Sequence, residues 1–158
     1  MRFTSREDVH VPIEEVFAAI TDFRAFERQL LNRGATVQRR DPAERPQVGS
    51  IWDVGFTFRG RRRVVVATLS QIEHPNLLAI DLAVDGLTGI FKVELLPLSR
   101  QKTRMSIALD LSASTLSARL LLQSLKLAKA NLTRRFKVRT ADFALSLERR
   151  TKPAHGRT

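Results

Sequence analysis

The apolar residues of this chain change their period once, near Ser114, and that change restricts the folds available to it. From Ser114 or Thr115 onward, Ala118, Leu121, Leu125, Ala128, Leu132, Phe136, Phe143 and Leu147 recur at steps of three, four or seven. That is the repeat of one helix face. Only Arg139 interrupts the stripe, and few breakers intervene before Pro153. A helix of about 33 residues spans roughly 50 Å at ~1.5 Å per residue. The whole chain has 158 residues, and a compact domain of that length is about 40 Å across. The stretch therefore predicts one long C-terminal helix that crosses the entire domain.

Upstream the dominant period is two. Residues 2–10 predict a strand. Pro12 suits the first turn of a helix, and Glu14 and Glu15 suit its positive end. Asp22 can cap a second short helix running to about Asn32, with Phe23, Phe26, Leu30 and Leu31 inward and Gly34 as its stop. Residues 35–40 predict a strand, and 41–49 a loop. In 50–58, Trp52, Val54, Phe56 and Phe58 share one face. Residues 62–73 are rich in Val and Thr, and their inward face is ambiguous. Leu78, Ile80, Leu82 and Val84 share a face of 77–85, Phe91, Val93 and Leu95 a face of 90–98, and Met105, Ile107, Leu109 and Leu111 a face of 103–112. Short turns separate these strands, with Asp85, Gly86 and Gly89 marking a hairpin loop, so an antiparallel meander follows. The expected architecture is α+β. A seven-stranded curved antiparallel sheet wraps around the long C-terminal helix, with two short helices between the first and second strands. Residues 1–150 form one domain and 151–158 a disordered tail.

A twisted sheet and a straight helix do not meet along their whole length. The gap predicts a cavity walled by Trp52, Val54, Phe56, Phe58, Ile80, Leu82, Phe91, Val93, Ile107 and Leu109, with Leu125 and Leu132 from the helix. Those walls favour an apolar guest. Burying ~300 Å² of it would contribute about 7 kcal/mol before association costs. The same faces could instead fill a dry core, and the sequence leaves both outcomes open.

Chemistry-bearing patterns are scarce. With no cysteine and no tyrosine, disulfides, thiolate metal sites and a tyrosine acid are excluded. His10, His74 and His155 lack partners at ligand spacing, so no metal or other cofactor is expected. No serine sits in a nucleophile-elbow context and no glycine-rich phosphate loop occurs. No catalytic residue can be named. No apolar run reaches the ~18 residues of a membrane span, and the first residues lack the apolar core of a secretory signal, so a cytoplasmic location is expected.

Charge is uneven. Residues 1–110 carry 16 basic and 14 acidic side chains, whereas 111–158 carry 11 and 2. Arg134, Arg135, Lys137 and Arg139 lie in a stretch free of acids and are candidates for contact with an anionic membrane surface or an acidic protein. A solvated helix face is the plainer reading. Nucleic acid is disfavoured because no zinc-finger spacing, RNP-type strand or helix-turn-helix is present. The sequence leaves monomer and homodimer open.

Three local patterns carry a resemblance. The first is Val9, Val11, Pro12, Glu15, Val16 and Phe17, ending at Asp22 and Phe23. The second is Gly49, Ser50, Ile51 and Trp52. The third is Ile72, Glu73, His74 and Pro75, followed by Leu77 and Leu78. Together with the element order, they resemble the START-like or Bet v 1-like superfamily, the polyketide cyclase/dehydrase and lipid transport (SRPBCC) group. The resemblance covers residues 2–150. It implies a helix-grip fold with a hydrophobic ligand cavity, and it implies no single activity.

The expected function is non-catalytic binding or transport of a small hydrophobic molecule: a lipid, an isoprenoid or a polyketide-like compound. The alternatives are a polyketide cyclase or dehydratase-like enzyme, and a peripheral module using the basic helix. The enzyme would need polar groups converging in the cavity, with Arg63 or Gln71 as candidates if residues 62–73 turn that way.

Overall fold

Hydrophobic alternation builds the sheet strand by strand. In the computed structural model, residues 1–41 and 45–151 are described. β1 (Arg2–Val9) is followed by α1 (Ile13–Ile20) and α2 (Phe23–Asn32). Then come β2 (Thr36–Arg39), β3 (Ile51–Phe58), β4 (Arg61–Glu73), β5 (Leu77–Val84), β6 (Leu87–Ser99) and β7 (Lys102–Ala113). α3 (Leu116–Leu127) and α4 (Lys129–Thr151) end the described chain. Of the expected tail, 151–158, Thr151 is the last residue of α4, and the rest lies outside the described residues. All seven strands form one antiparallel sheet in the order β1-β7-β6-β5-β4-β3-β2. The curved sheet with its C-terminal helix is the helix-grip α+β arrangement.

The long helix differs from the expectation. It is interrupted at Ala128, whose N–H donates to Leu125 O at 3.1 Å and whose φ and ψ are −98° and 10°. No Gly or Pro marks the site, so no local signal announces the break. Its basis is tertiary. α3 packs on β6 and β7, whereas α4 packs along β1 at the sheet's edge, and two directions of packing require two axes. The N-terminus of α3 is set by Thr115, whose hydroxyl accepts from Ala118 N–H at 3.1 Å. Asp22 caps α2 in the same way, accepting from Ala25 N–H at 3.2 Å.

Two further details depart from the sequence pattern. The hairpin loop between β5 and β6 is only Asp85 and Gly86, both with positive φ (48° and 81°), the geometry of a tight two-residue turn. Gly89 lies inside β6 instead, where an added Cβ would meet Leu111 Cδ2 at 3.1 Å. The inward face of β4 is resolved by register: Ala67 pairs with Trp52 and with Leu82. A bulge between Leu69 and Gln71 then shifts the alternation, which is why the sequence pattern of this strand is ambiguous.

The core sits at one end. Val9, Val11, Val16, Leu69, Met105 and Leu147 are almost fully buried there, joining α1, the sheet and the C-terminal part of α4. Thr103 Oγ1 donates to Val11 O at 2.8 Å within this region. His10 N–H donates to Glu148 Oε1 at 3.1 Å, tying the end of α4 to the corner after β1. The sheet is therefore closed at one end by α1 and late α4, and reached at the other by α3.

Candidate ligand cavity

Between these two ends, α4 stays on the edge strand β1 and leaves the central strands uncovered. A cavity of about 1310 Å³ lies under α2 and the stretch of α4 from Asn131 to Ser146. Its floor is apolar: Val54, Ala67, Leu78, Ile80, Phe91, Val93 and Ile107. Phe23, Phe26 and Leu30 of α2 form the cover, with Phe136 and Phe143 from α4. The rings of Phe26 and Phe143 stand 6.1 Å apart and bridge the two helices. Trp52 occupies one wall with 6% of its surface exposed. Its ring lies 5.4 Å from Phe23, and its Nε1–H donates to Glu27 Oε1 at 2.9 Å. One half-buried carboxylate therefore fixes the indole against the cavity. The volume exceeds the ~300–1,000 Å³ common for small-molecule pockets, so these faces do not close into a dry core.

Of the expected wall residues, Trp52, Val54, Ile80, Phe91, Val93 and Ile107 line the cavity. Phe56, Phe58, Leu82, Leu109, Leu125 and Leu132 do not. Leu82 pairs with Gly89, and Leu109 with Phe91 and Phe3. They share the face but sit toward the end reached by α3 or beside β1. Phe58 is at the β3–β4 hairpin tip, where Arg59 and Arg63 lie 5.2 and 5.6 Å from its ring centre. Arg59 Nη2 also donates to Ser124 Oγ of α3 at 3.3 Å.

The basic residues of α4 are not all turned outward. Arg134, Arg135 and Arg139 line the cavity mouth, whereas Lys137 does not. Asn131, Arg135, Arg139, Asp142 and Ser146 form a stripe at steps of four, four, three and four. It lies beside the stripe of Phe136, Thr140, Phe143 and Leu147 that packs inward. Because α4 rests on the edge strand β1, with Phe136 6.3 Å from Phe3, its flank overlooks the concave face. That placement gives the mouth a polar rim, completed by Glu27, Gln29 and Arg33 of α2. Sequence reasoning missed this rim because it sought polar groups on strands. The available signal was the polar stripe adjoining the apolar one. Arg63 and Gln71 play no part in it: Arg63 Nη1 donates to Asp85 Oδ2 at 2.6 Å, and Gln71 Nε2 to Glu73 Oε1 at 2.7 Å.

Other titratable groups are engaged away from the cavity. His74 Nε2 lies 2.6 Å from Glu14 Oε2, and its ring meets Phe17 edge-on at 4.9 Å. Among the described residues, no three His, Asp or Glu side chains gather into a group that could hold a metal ion. No described helix is long and apolar enough to cross a membrane. Chemically, the cavity offers an apolar chamber, one indole wall and a rim dominated by guanidinium groups.

A curved antiparallel sheet gripping a C-terminal helix over an open chamber is a known arrangement. The norcoclaurine synthase of Thalictrum flavum, solved with dopamine and hydroxybenzaldehyde, superposes with a TM-score of 0.66 at 12% identity over 96% of this chain and 88% of that one. The chain has the START/Bet v 1-like fold. The Zhui aromatase/cyclase from a Streptomyces species gives a TM-score of 0.64 at 11% identity, covering 98% of this chain and 97% of that one. A START superfamily protein from Mycobacterium smegmatis gives 0.54 at 16% identity, covering 85% and 95%. No protein-family profile matches the sequence, and no curated protein matches it by sequence. At these identities the START-like likeness is one of fold.

Proposed function

We propose that this chain binds a small hydrophobic molecule in the chamber beneath α2 and α4, as a carrier or sensor that performs no covalent step. The observation that carries this reading is the apolar floor of a cavity of about 1310 Å³, room enough for a small molecule. The START-like fold supports it, since the solved proteins that share it include one described with two small aromatic molecules. Trp52 supplies the test. It is the single tryptophan in a chain without tyrosine, so intrinsic fluorescence reports the cavity wall. Hydrophobic probes should change that emission saturably, and a solvent extract of the freshly purified protein should contain a bound lipid-like compound. A silent Trp52 with every probe, together with an empty extract, would overturn the proposal.

A second and compatible reading is contact with an anionic lipid surface, favoured by α3. Leu116, Leu120 and Leu127 are 74%, 59% and 93% exposed on one side of that helix, and Arg119 and Lys126 lie beside them. An exposed apolar stripe with basic flanks suits the bilayer interface. Sedimentation with vesicles should show binding that needs anionic lipid and weakens with salt. Binding unchanged when Leu120 and Leu127 are replaced by Ser would refute it.

A further inference from the structure

We propose that the molecule held in the chamber is an amphipathic anion: a carboxylate or phosphate ester on an apolar body, with its head at Arg134, Arg135 and Arg139 of α4 and Arg33 of α2. This rests on the hydrophobic-ligand reading above and names the class of ligand.

Four guanidinium groups border one mouth. Among the described residues, none of the four forms an ion pair. The ion pairs that do occur engage Arg2, Arg39, Arg40, Arg63, Lys92, Arg104 and His74, all outside the cavity. Among the described residues, the only side-chain hydrogen bond from the four is Arg134 Nη2 donating to Asn131 Oδ1 at 2.7 Å. The carboxylates at the same mouth are Glu27 and Asp142, and Glu27 is already the acceptor for Trp52. The rim therefore carries an excess of positive charge that no ion pair among the described residues neutralises.

The helix itself places like charges together. Arg135 and Arg139 stand four residues apart on α4, and Arg134 and Lys137 three apart, with no acid before Asp142. Like charges at these spacings repel along a helix face. A bound anion offsets that repulsion. Planar guanidinium groups pair with carboxylate or phosphate oxygens two bonds at a time. The floor meanwhile gives an anion without an apolar body nothing to hold it.

Trp52 fluorescence titrations with dodecanoate, dodecyl phosphate, dodecanol and dodecylamine, each kept below its micelle concentration, separate the possibilities. At least one anion should bind more tightly than the alcohol and the amine by about tenfold, the scale of one charge-assisted contact. Which anion binds more tightly distinguishes a carboxylate from a phosphate head. The triple variant Arg134→Gln, Arg135→Gln, Arg139→Gln should lose that preference and keep its affinity for dodecanol, which also shows that it is folded. A control lacking three charges away from the mouth (Arg6→Gln, Arg61→Gln, Arg100→Gln) should retain the preference, excluding a general effect of the net charge of +11. Equal binding of alcohol and anions, or a preference that survives the triple variant or disappears in the control, would overturn the anion proposal and leave the hydrophobic cavity standing. No response to any of the four probes would overturn the anion proposal, and together with an empty solvent extract it would overturn the hydrophobic cavity as well.

Discussion

Trp52 illustrates how single residues connect the scaffold to the chamber. Strand alternation places it on the inner face, and Glu27, from a different element, decides which way its indole points. Charged residues on the outside act differently. Arg104 hydrogen-bonds Asp8 at 2.9 and 3.2 Å, and Arg40 hydrogen-bonds Asp53 at 2.8 and 2.7 Å. These bonds hold both carboxyl groups below the usual range and raise both arginines. A depressed carboxyl contributes stability that is complete above its unfolded pKa and lost as pH falls through the folded value. Thermal unfolding followed against pH should therefore show a loss below about pH 4 that is smaller in the Asp8→Asn, Asp53→Asn variant. The effect is small because both pairs are solvent-accessible. An identical acid dependence in wild type and variant would exclude a role for these pairs.

At the scale of elements, α2 is set apart. None of its residues is buried: Phe23, Phe26 and Leu30 line the chamber, and Leu31, expected to point inward, is 53% exposed. Local stability follows buried apolar contact, so α2 amides should exchange with solvent faster than those of β6 and β7, and slow when a hydrophobic probe fills the chamber. Hydrogen exchange resolved by element would measure this, and equal protection in α2 and the central strands would contradict it. α2 was legible in the sequence through Asp22, Phe23, Phe26, Leu30 and Gly34. Its loose seating was not, because an apolar helix face looks the same over a core and over a void. The break at Ala128 was equally hidden, since good helix formers run through it and only the two packing directions of α3 and α4 require it.

For the molecule as a whole, the decisive relation is between a closed end and an open middle. Burial at Val9, Met105 and Leu147 fixes late α4 against the sheet, and α3 reaches its other end. The span between them rests on the edge strand β1 and leaves the central strands uncovered, which makes the chamber. The sequence alone determined the order of elements, the antiparallel meander and the apolar character of the inner face. Those follow from periods of two and 3.6 residues, turn chemistry and helix caps, all of which act over a few neighbouring positions. The tertiary structure alone decided that the face encloses space, that six of the twelve expected wall residues border it, and that Arg134, Arg135 and Arg139 guard its mouth. These depend on α4 resting on β1 with its flank over the concave side. The angle and distance between a helix and a sheet are set by long-range packing, which leaves no periodic trace in the chain.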